Sequence, residues 1–323
     1  MSPGALLKLG QRVKGALDVY TITKQLSDFV YLAAGWVIES YNISPSPVVH
    51  SLSNPDSRMN SRKSVVLKSI DGHWRLHNEY DVLRQLQSTV PQLRSPADEI
   101  KDDDITPTIA LSYLDDDLYQ ASKKQRLTRR EINNGATRFS SVQLADIGGT
   151  VKTDSMYATD GHPTGTNLFR APEVHLGLPW GTAADIWSFG TTLMNLIWSL
   201  NFHIFEPQEP PTDDMYDIMV LVEQHRHFGP FPETYKEFTD EETQRAILHL
   251  MSWVPPEKMR PFHRVGEREI APADKAFLLK IMKLDPRERT TAHALLEDEW
   301  WAETSERTVG WYSKAQWEKL HSQ

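Results

Sequence analysis

Residues 165–190 read G-T-N-L-F-R-A-P-E-V-H-L-G-L-P-W-G-T-A-A-D-I-W-S-F-G, and this stretch decides the fold. It leads into Ile186–Leu200, which is the most apolar segment of the chain. That segment is shorter than the roughly 20 residues that a bilayer span requires. It also carries polar side chains, among them Ser188 and Asn195. The sequence therefore predicts a buried core helix here rather than a membrane span.

The composition is typical of a soluble globular protein that does not bind nucleic acid. The 323-residue chain is 39% hydrophobic and 24% charged, and its formal net charge is −9. Binding to nucleic acid requires a clustered positive face, which this balance does not favour. The chain has no cysteine, which excludes disulfides and fits a reducing compartment. No apolar stretch at the N-terminus resembles a signal peptide. We therefore expect an intracellular protein without nucleic-acid or membrane partners.

On the N-terminal side of the deciding stretch, the sequence has mainly strand periodicity. Residues 20–39 alternate apolar and polar residues as paired strands do, and Ser64–Ile70 and Thr108–Tyr113 are short apolar strands. His77–Gln87 has apolar residues at helical spacing. The polar segment Thr89–Thr106 is predicted to be a loop.

On the C-terminal side, the periodicity is helical. After the core helix at Ile186–Leu200, helical spacing recurs in four segments: Met215–Gln224, Thr243–Met251, Asp274–Leu284 and Thr291–Trp300. Strands followed by helices indicate an α+β protein with a small β-rich part and a helical part.

Three motifs in this order resemble those of protein kinases. L-A-D-I-G-G at 144–149 resembles the D-F-G motif. G-T-N-L-F-R-A-P-E at 165–173 resembles the end of the activation segment, and A-D-I-W-S-F-G at 184–190 resembles the D-x-W-S-x-G helix. The arginine before A-P-E and the long insert at 204–232 resemble the CMGC group. Within that group, the SR-protein-kinase-like enzymes of fungi look most similar.

The resemblance implies a two-lobed kinase-like fold over residues 19–302. The N-lobe would span 19–113 and the C-lobe 114–302, and residues 303–323 would form a tail. It also implies ATP-dependent phosphorylation of serine or threonine in a protein substrate, with ATP and Mg²⁺ as cofactors and a protein as the partner. Such enzymes occur in both the cytoplasm and the nucleus.

Three residues correspond to the nucleotide site of the family. Lys68 in V-V-L-K resembles the strand lysine that contacts nucleotide phosphates, and Glu79 is its helix partner by position, with Asp81 as the alternative. Asp146 in D-I-G would hold Mg²⁺. Ile147 replaces the phenylalanine of the family motif.

The remaining matches lie in and after the activation segment. Thr166 and Arg170 belong to that segment, and its threonine follows the pattern of serine/threonine kinases. Glu173 is predicted to form a buried ion pair with Arg289, a structural role. Asp185 normally anchors the catalytic loop.

Two family parts are absent from the sequence. No glycine-rich loop follows Leu26, because the chain has no glycine between Leu26 and Gly35. The catalytic loop H-R-D-x-x-x-x-N is also missing, since residues 120–140 contain neither histidine nor aspartate. No general base can therefore be assigned; Glu131 is a poorly supported substitute, and Asn133 or Asn134 is at most a remnant.

These absences have a predicted structural and chemical cost. The missing helix and loop would expose apolar surface on Ile186–Leu200 and leave Asp185 without its partner. Nucleotide binding would be weak and would depend on Lys68 and Asp146, because the backbone donors of the glycine-rich loop are lost.

Three functions remain open at this point. The chain is an ATP-dependent serine/threonine kinase, a pseudokinase that binds or scaffolds partners, or a shortened product of a gene that encodes an active kinase. For the chain as it stands we expect no appreciable protein phosphorylation, since the general base alone contributes about 10²–10⁴-fold.

Overall fold

The structure, a computed structural model, describes residues 7–36, 62–71, 73–102, 105–125, 127–134, 139–199 and 201–302. The predicted tail at 303–323 lies outside these residues. The chain forms two compact units. The first unit contains residues up to Asp115 together with Val142–Thr150, and the second unit contains Asp116–Ser141 and everything from Val151 onward.

The first unit is built on one antiparallel sheet of six strands. Its strands are β1 (Arg12–Lys14), β2 (Val19–Ser27), β3 (Val30–Trp36), β4 (Arg62–Ser69), β5 (Pro96–Glu99) and β6 (Thr108–Ser112), in the order β1-β2-β3-β4-β6-β5. One helix, α1 (Trp74–Leu86), packs on β5 and β6. Its Leu76 and Leu83 are buried in one cluster with Leu111 of β6, so the apolar stripe of the helix holds it to the sheet.

Strand β5 corrects the prediction of an unbroken loop over Thr89–Thr106. Its sequence, P-A-D-E, is poor in strand-forming residues, which is why periodicity missed it. As an edge strand it can accommodate Pro96, which lacks a backbone N–H. The buried Asp98 carboxylate holds the strand in place, because it accepts hydrogen bonds from the Leu17 backbone N–H at 3.1 Å and from the Tyr20 hydroxyl at 3.0 Å.

The second unit is helical. Its helices are α2 (Leu118–Lys124), α3 (Arg129–Asn134), α4 (Met156–Thr159), α5 (Pro172–His175), α6 (Thr182–Trp198), α7 (Tyr216–Phe228), α8 (Glu241–Ser252), α9 (Pro272–Ile281) and α10 (Ala292–Leu296). Side chains and proline set several helix starts. Asp240 accepts a hydrogen bond from the Thr243 backbone N–H at 2.8 Å at the start of α8, and Pro272 is compatible with the first turn of α9. The predicted α+β class is confirmed by the sheet and these helices.

Helix α6 is the centre of the second unit. It begins at Thr182 and ends at Trp198, so it starts earlier and ends earlier than the predicted Ile186–Leu200. Trp187 and Met194 are fully buried in the main core cluster. The expectation of a bare apolar surface is therefore wrong for most of this helix, because α2 and α9 pack against it.

The end of the second unit also differs from the prediction of one helix over Thr291–Trp300. Helix α10 stops at Leu296, and a separate short 3-10 helix covers Glu299–Ala302. The acidic run Glu297-Asp298-Glu299 explains the break, since negative charge is unfavourable at a helix C-terminus. None of the helices that the structure describes combines the length and hydrophobicity of a bilayer span.

Candidate functional site

Lys68 lies on the central strand β4, between Val30 of β3 and Ile109 of β6. Its Nζ donates to both carboxylate oxygens of Glu79, at 2.8 Å and 3.1 Å. Glu79 is only 3% exposed on the inner face of α1, whereas Asp81 is exposed. Burial makes this pair directional and rigid, so the lysine is presented at a fixed position on the sheet.

Asp146 belongs to the same cluster of charges. Its Oδ1 lies 2.8 Å from Lys68 Nζ, while 87% of its side chain is exposed. Its φ of +62° is an unusual backbone conformation that aspartate tolerates better than most residues. The segment that follows is held by Asn78 of α1, whose Nδ2 donates to the carbonyl of Gly148 at 3.0 Å.

The residue after Asp146 takes up a packing role. Ile147 is 9% exposed and contributes to the apolar cluster of Leu76, Leu83 and Leu111. Gly148 is required next to it, because a Cβ there would lie 2.8 Å from the Arg75 carbonyl oxygen. The smaller isoleucine therefore still anchors this segment under α1.

Sequence reasoning missed a second cation beside this cluster, Arg94. Its backbone N–H donates to the Leu144 carbonyl at 2.9 Å, and its Nε donates to the Ser112 carbonyl at 2.7 Å. Burial lowers the pKa of the Arg94 guanidinium, while the neighbouring carboxylates of Glu79 and Asp146 raise it. The only sequence signal for Arg94 was its position as a charged residue just before β5, and no kinase motif includes that position.

The connection between β2 and β3 is a two-residue turn, Asp28–Phe29. This turn stands where the glycine-rich loop of the family was expected. It is fixed to the sheet, because the Ser69 N–H donates to the Phe29 carbonyl at 2.9 Å. Since Val30 already pairs with Lys68, a turn this short supplies no row of free backbone N–H groups that could surround phosphates.

In the second unit, Arg170 organises the end of the activation segment. Its guanidinium donates to the Thr164 carbonyl at 3.0 Å, to the Gly165 carbonyl at 3.1 Å and to Asp217 of α7 at 3.1 Å. Asn167 also donates to Asp217. Thr166 is exposed between these residues, and its side chain does not cap the short helix that follows it.

Glu173 and Arg289 form a bidentate, buried ion pair. Two guanidinium nitrogens of Arg289 donate to the two carboxylate oxygens of Glu173, at 2.6 Å and 2.7 Å. Arg289 also donates to the carbonyls of Ala183, Lys283 and Leu284, at 2.9 Å, 2.8 Å and 3.0 Å. The pair joins α5 to the start of α6 and to the segment after α9, as its sequence motifs predicted.

Asp185, at the first turn of α6, has no hydrogen bond or ion pair within the part of the chain that the structure describes. Its carboxylate reaches solvent, but desolvation by the surrounding protein raises its pKa.

A second buried ion pair was not predicted. Arg129 at the start of α3 pairs with Asp274 in the first turn of α9, and both residues are 1% exposed. The Trp300 indole N–H donates to the same carboxylate at 2.8 Å. Beside it, Glu131 accepts hydrogen bonds from the Thr128 N–H and hydroxyl, at 2.8 Å and 3.0 Å, so it caps α3. This engagement argues against Glu131 as a general base.

The donor set at Asp146 does not fit the Mg²⁺ that the resemblance implies. Mg²⁺ in nucleotide sites is held by one or two carboxylates together with phosphate and water oxygens, so a cation already paired with the carboxylate disfavours it. The described residues contain no group of three or more histidines, cysteines, aspartates or glutamates that could hold a metal ion. Asp146 is also paired with Lys68, and Arg94 adds positive charge nearby.

Comparison with known proteins establishes the family. The Protein kinase domain family matches residues 132–301, which is more than half of the 323-residue chain. The chain belongs to the protein kinase family. The match covers the activation segment, α6 and the Glu173–Arg289 pair, where this kinase-family chain keeps its motifs best.

Curated relatives confirm the predicted resemblance to SR-protein-kinase-like members of the CMGC group. Serine/threonine-protein kinase SKY1 of Saccharomyces cerevisiae is 28% identical over 180 residues, covering 53% of this chain and 23% of SKY1. Protein kinase dsk1 of Schizosaccharomyces pombe is 24% identical, covering 52% of this chain and 31% of dsk1. Dual specificity protein kinase CLK4 of Homo sapiens is 27% identical, covering 40% of this chain and 24% of CLK4. The chain thus spans less than a third of the length of these relatives.

Solved structures show the same fold. A chain of the CAK complex from Chaetomium thermophilum, determined with ATP-γ-S bound, matches with a TM-score of 0.55 and 21% identity. The match covers 90% of this chain and 93% of that one. The two-lobed kinase fold predicted from the sequence is therefore confirmed.

Proposed function

We propose that this chain is an ATP-binding member of the serine/threonine kinase group that does not phosphorylate proteins at an appreciable rate. The family reaction is transfer of the ATP γ-phosphoryl group to a serine or threonine hydroxyl. The observation that carries the proposal is the cluster of Lys68, Glu79 and Asp146, joined by hydrogen bonds of 2.8–3.1 Å. It presents a cation to phosphates on a rigid strand and helix.

The loss of turnover follows from the parts that this chain lacks. Phosphoryl transfer depends on positioning and charge stabilisation. Here no catalytic-loop aspartate can accept the hydroxyl proton, and the turn Asp28–Phe29 replaces the loop that would cover the phosphates. Each lost N–H donor to a charged phosphate weakens binding by about 1.5–3 kcal/mol, so we expect weak ATP affinity.

Binding and turnover are tested separately on the purified protein. Thermal-shift titration with ATP should show weak stabilisation of the wild type, with a Kd well above the micromolar range. Lys68→Met should show no stabilisation. Exposed Lys24→Met on β2 is the matched control and should behave as wild type. Micromolar affinity, or a shift that persists in Lys68→Met, would overturn the proposed site.

Turnover is measured with labelled ATP, Mg²⁺ or Mn²⁺ and an Arg-Ser-rich peptide. We expect no phosphate incorporation above that of Lys68→Met. Robust incorporation that disappears in Asp146→Ala would show that the chain is an active kinase with a base that its sequence does not reveal.

A binding role is the second candidate, and one observation favours it. The activation segment keeps its ordered form through Arg170 and Glu173, although the catalytic loop is absent. An ordered segment is useful for recognising a protein even without catalysis. The partner would be a protein, since the net charge of −9 disfavours nucleic acid. Wild type and Arg170→Ala would be compared for retention of the Arg-Ser-rich peptide in a binding assay, with equal retention counting against this role.

A further inference from the structure

The charges around Lys68 differ from those of a metal-dependent phosphate site. Two cations, Lys68 and Arg94, face two carboxylates, Glu79 and Asp146. Formal charges therefore cancel without any metal ion. A divalent cation at Asp146 would share the carboxylate with Lys68 Nζ, which lies 2.8 Å from Oδ1, and would be repelled by both cations.

Arg94 is held so that the end of its side chain remains available. The backbone bond to Leu144 and the Nε bond to Ser112 fix it from two sides. Within the described residues, neither terminal guanidinium nitrogen donates a hydrogen bond, and neither is sealed from solvent. A planar guanidinium with two free NH₂ groups matches the geometry of phosphate oxygens.

The position of Arg94 brings this free end to the phosphate-facing cluster. Leu144, to which Arg94 is bonded, is two residues before Asp146. Ser112 ends β6 and pairs with Val65, three residues before Lys68 on β4. The bond to Leu144 brings Arg94 close to Asp146, and all of these residues lie within the first unit.

We propose that Arg94 and Lys68 together bind the phosphates of a nucleotide, so that binding needs no divalent cation. Arg94 supplies the positive charge that Mg²⁺ supplies in metal-dependent kinases. This inference rests on the proposed nucleotide binding and deepens it, because it names the second cation and the form of the ligand. The ligand is metal-free ATP or another free nucleoside polyphosphate.

The experiment is calorimetric titration of the full chain with ATP, once in excess EDTA and once in excess Mg²⁺. Wild type should bind equally well in both within about threefold, or less well with Mg²⁺, because the metal competes for the phosphate charge. Arg94→Gln should lose at least about tenfold in affinity in EDTA. Arg84→Gln, an exposed arginine on α1, is the matched control and should bind as wild type.

The outcomes separate this inference from the proposed function. Binding that appears only with Mg²⁺ and is unaffected in Arg94→Gln would overturn the metal-free site but leave nucleotide binding intact. Absence of binding in both conditions would overturn both proposals. If Arg94→Gln does not fold, the wild-type comparison of EDTA with Mg²⁺ still decides, and Arg94→Lys, which keeps the charge, provides the second variant.

Discussion

At the residue scale, buried ion pairs stabilise the second unit. Arg289 and Glu173 satisfy each other with two hydrogen bonds, and Arg129 Nη2 pairs with Asp274 Oδ1, also far from solvent. Removing one partner of such a pair leaves the other charge buried and unpaired, which costs more than the pair itself contributes. Each arginine also lies against an aromatic ring, Trp187 for Arg289 and Trp300 for Arg129.

Arg289→Ala should lower the free energy of unfolding by about 3–5 kcal/mol, because the Glu173 carboxylate would be stranded in the core. Urea denaturation followed by tryptophan fluorescence measures this. Arg245→Ala is the control: its contact with Glu241 is 3.5 Å long and exposed, and such pairs contribute about 0.2–1 kcal/mol. Equal midpoints for the two variants would show that the Glu173 pair is not buried in solution.

His175 should make stability depend on pH. Burial, and then the nearby Arg170, lower the pKa of His175 to about 4 in the folded protein. In the unfolded chain its pKa is about 6.5. Between these values only the unfolded state binds the proton, so stability falls as the pH drops from about 6.5 to about 4, by about 3 kcal/mol from this residue.

The measurement is urea denaturation of wild type and His175→Gln at several pH values in that window. Glutamine cannot titrate but can donate to the Asn167 carbonyl, which His175 Nε2 contacts at 3.1 Å. The variant should show a flatter dependence on pH. Parallel curves for the two proteins would mean that His175 is protonated as readily in the folded state as in the unfolded state.

At the element scale, α6 is the helix on which the second unit depends. It contacts α2, α9 and the short 3-10 helix Asn167–Phe169 of the activation segment. Ser188 of α6 donates to the Phe169 carbonyl at 2.9 Å, which ties the segment to the helix. The close approach of α9 is possible because residue 190 is glycine.

Gly190→Ala should destabilise the protein by about 1–3 kcal/mol, although alanine favours helix by about 1 kcal/mol. A Cβ at this position would lie 2.4 Å from Met282 Sδ and 2.5 Å from Ile281 Cγ2. Both of these side chains are buried and cannot easily move away. Gly266→Ala, where a Cβ meets nothing within 4 Å, is the control for thermal unfolding. A Gly190→Ala protein as stable as wild type would show that α9 adjusts freely.

At the scale of the whole molecule, this chain lacks the catalytic-loop motif H-R-D-x-x-x-x-N of its family. Each unit keeps its own apolar core, and α2 covers part of α6. We therefore expect folding not to require the catalytic loop, whereas the family's phosphoryl transfer uses it. Asp185, at the start of α6, retains a pKa raised by desolvation and no partner among the described residues.

Replacing residues 133–137 with the catalytic segment of a relative such as SKY1 should raise phosphorylation of an Arg-Ser-rich peptide by about 10²–10⁴-fold, the contribution of a general base. The same graft with its catalytic aspartate changed to asparagine is the control. Such a gain would support a shortened product of an active kinase. A folded graft without gain would instead support a binding module that has lost further catalytic parts.

Strand β5 and the break between α10 and the following 3-10 helix show where local periodicity fails to predict secondary structure. Residues P-A-D-E form a strand only because β6 pairs with them and the buried Asp98 is satisfied by the turn before β2. The Glu297–Glu299 run ends α10 early through charge at the helix terminus. Strand and helix propensities alone contain neither the pairing of β5 with β6 nor the unfavourable charge at the C-terminus of α10.

The sequence by itself determined the family, the two-lobed α+β fold and the pairs Lys68–Glu79 and Glu173–Arg289, because each of these residues lies in a short motif with fixed spacing. Only the tertiary structure decided that Arg94 stands beside Asp146 and that Arg129 pairs with Asp274. The second pair joins residues 145 positions apart in the chain. Such contacts depend on how helices and strands pack, and no local pattern of residue types specifies that packing.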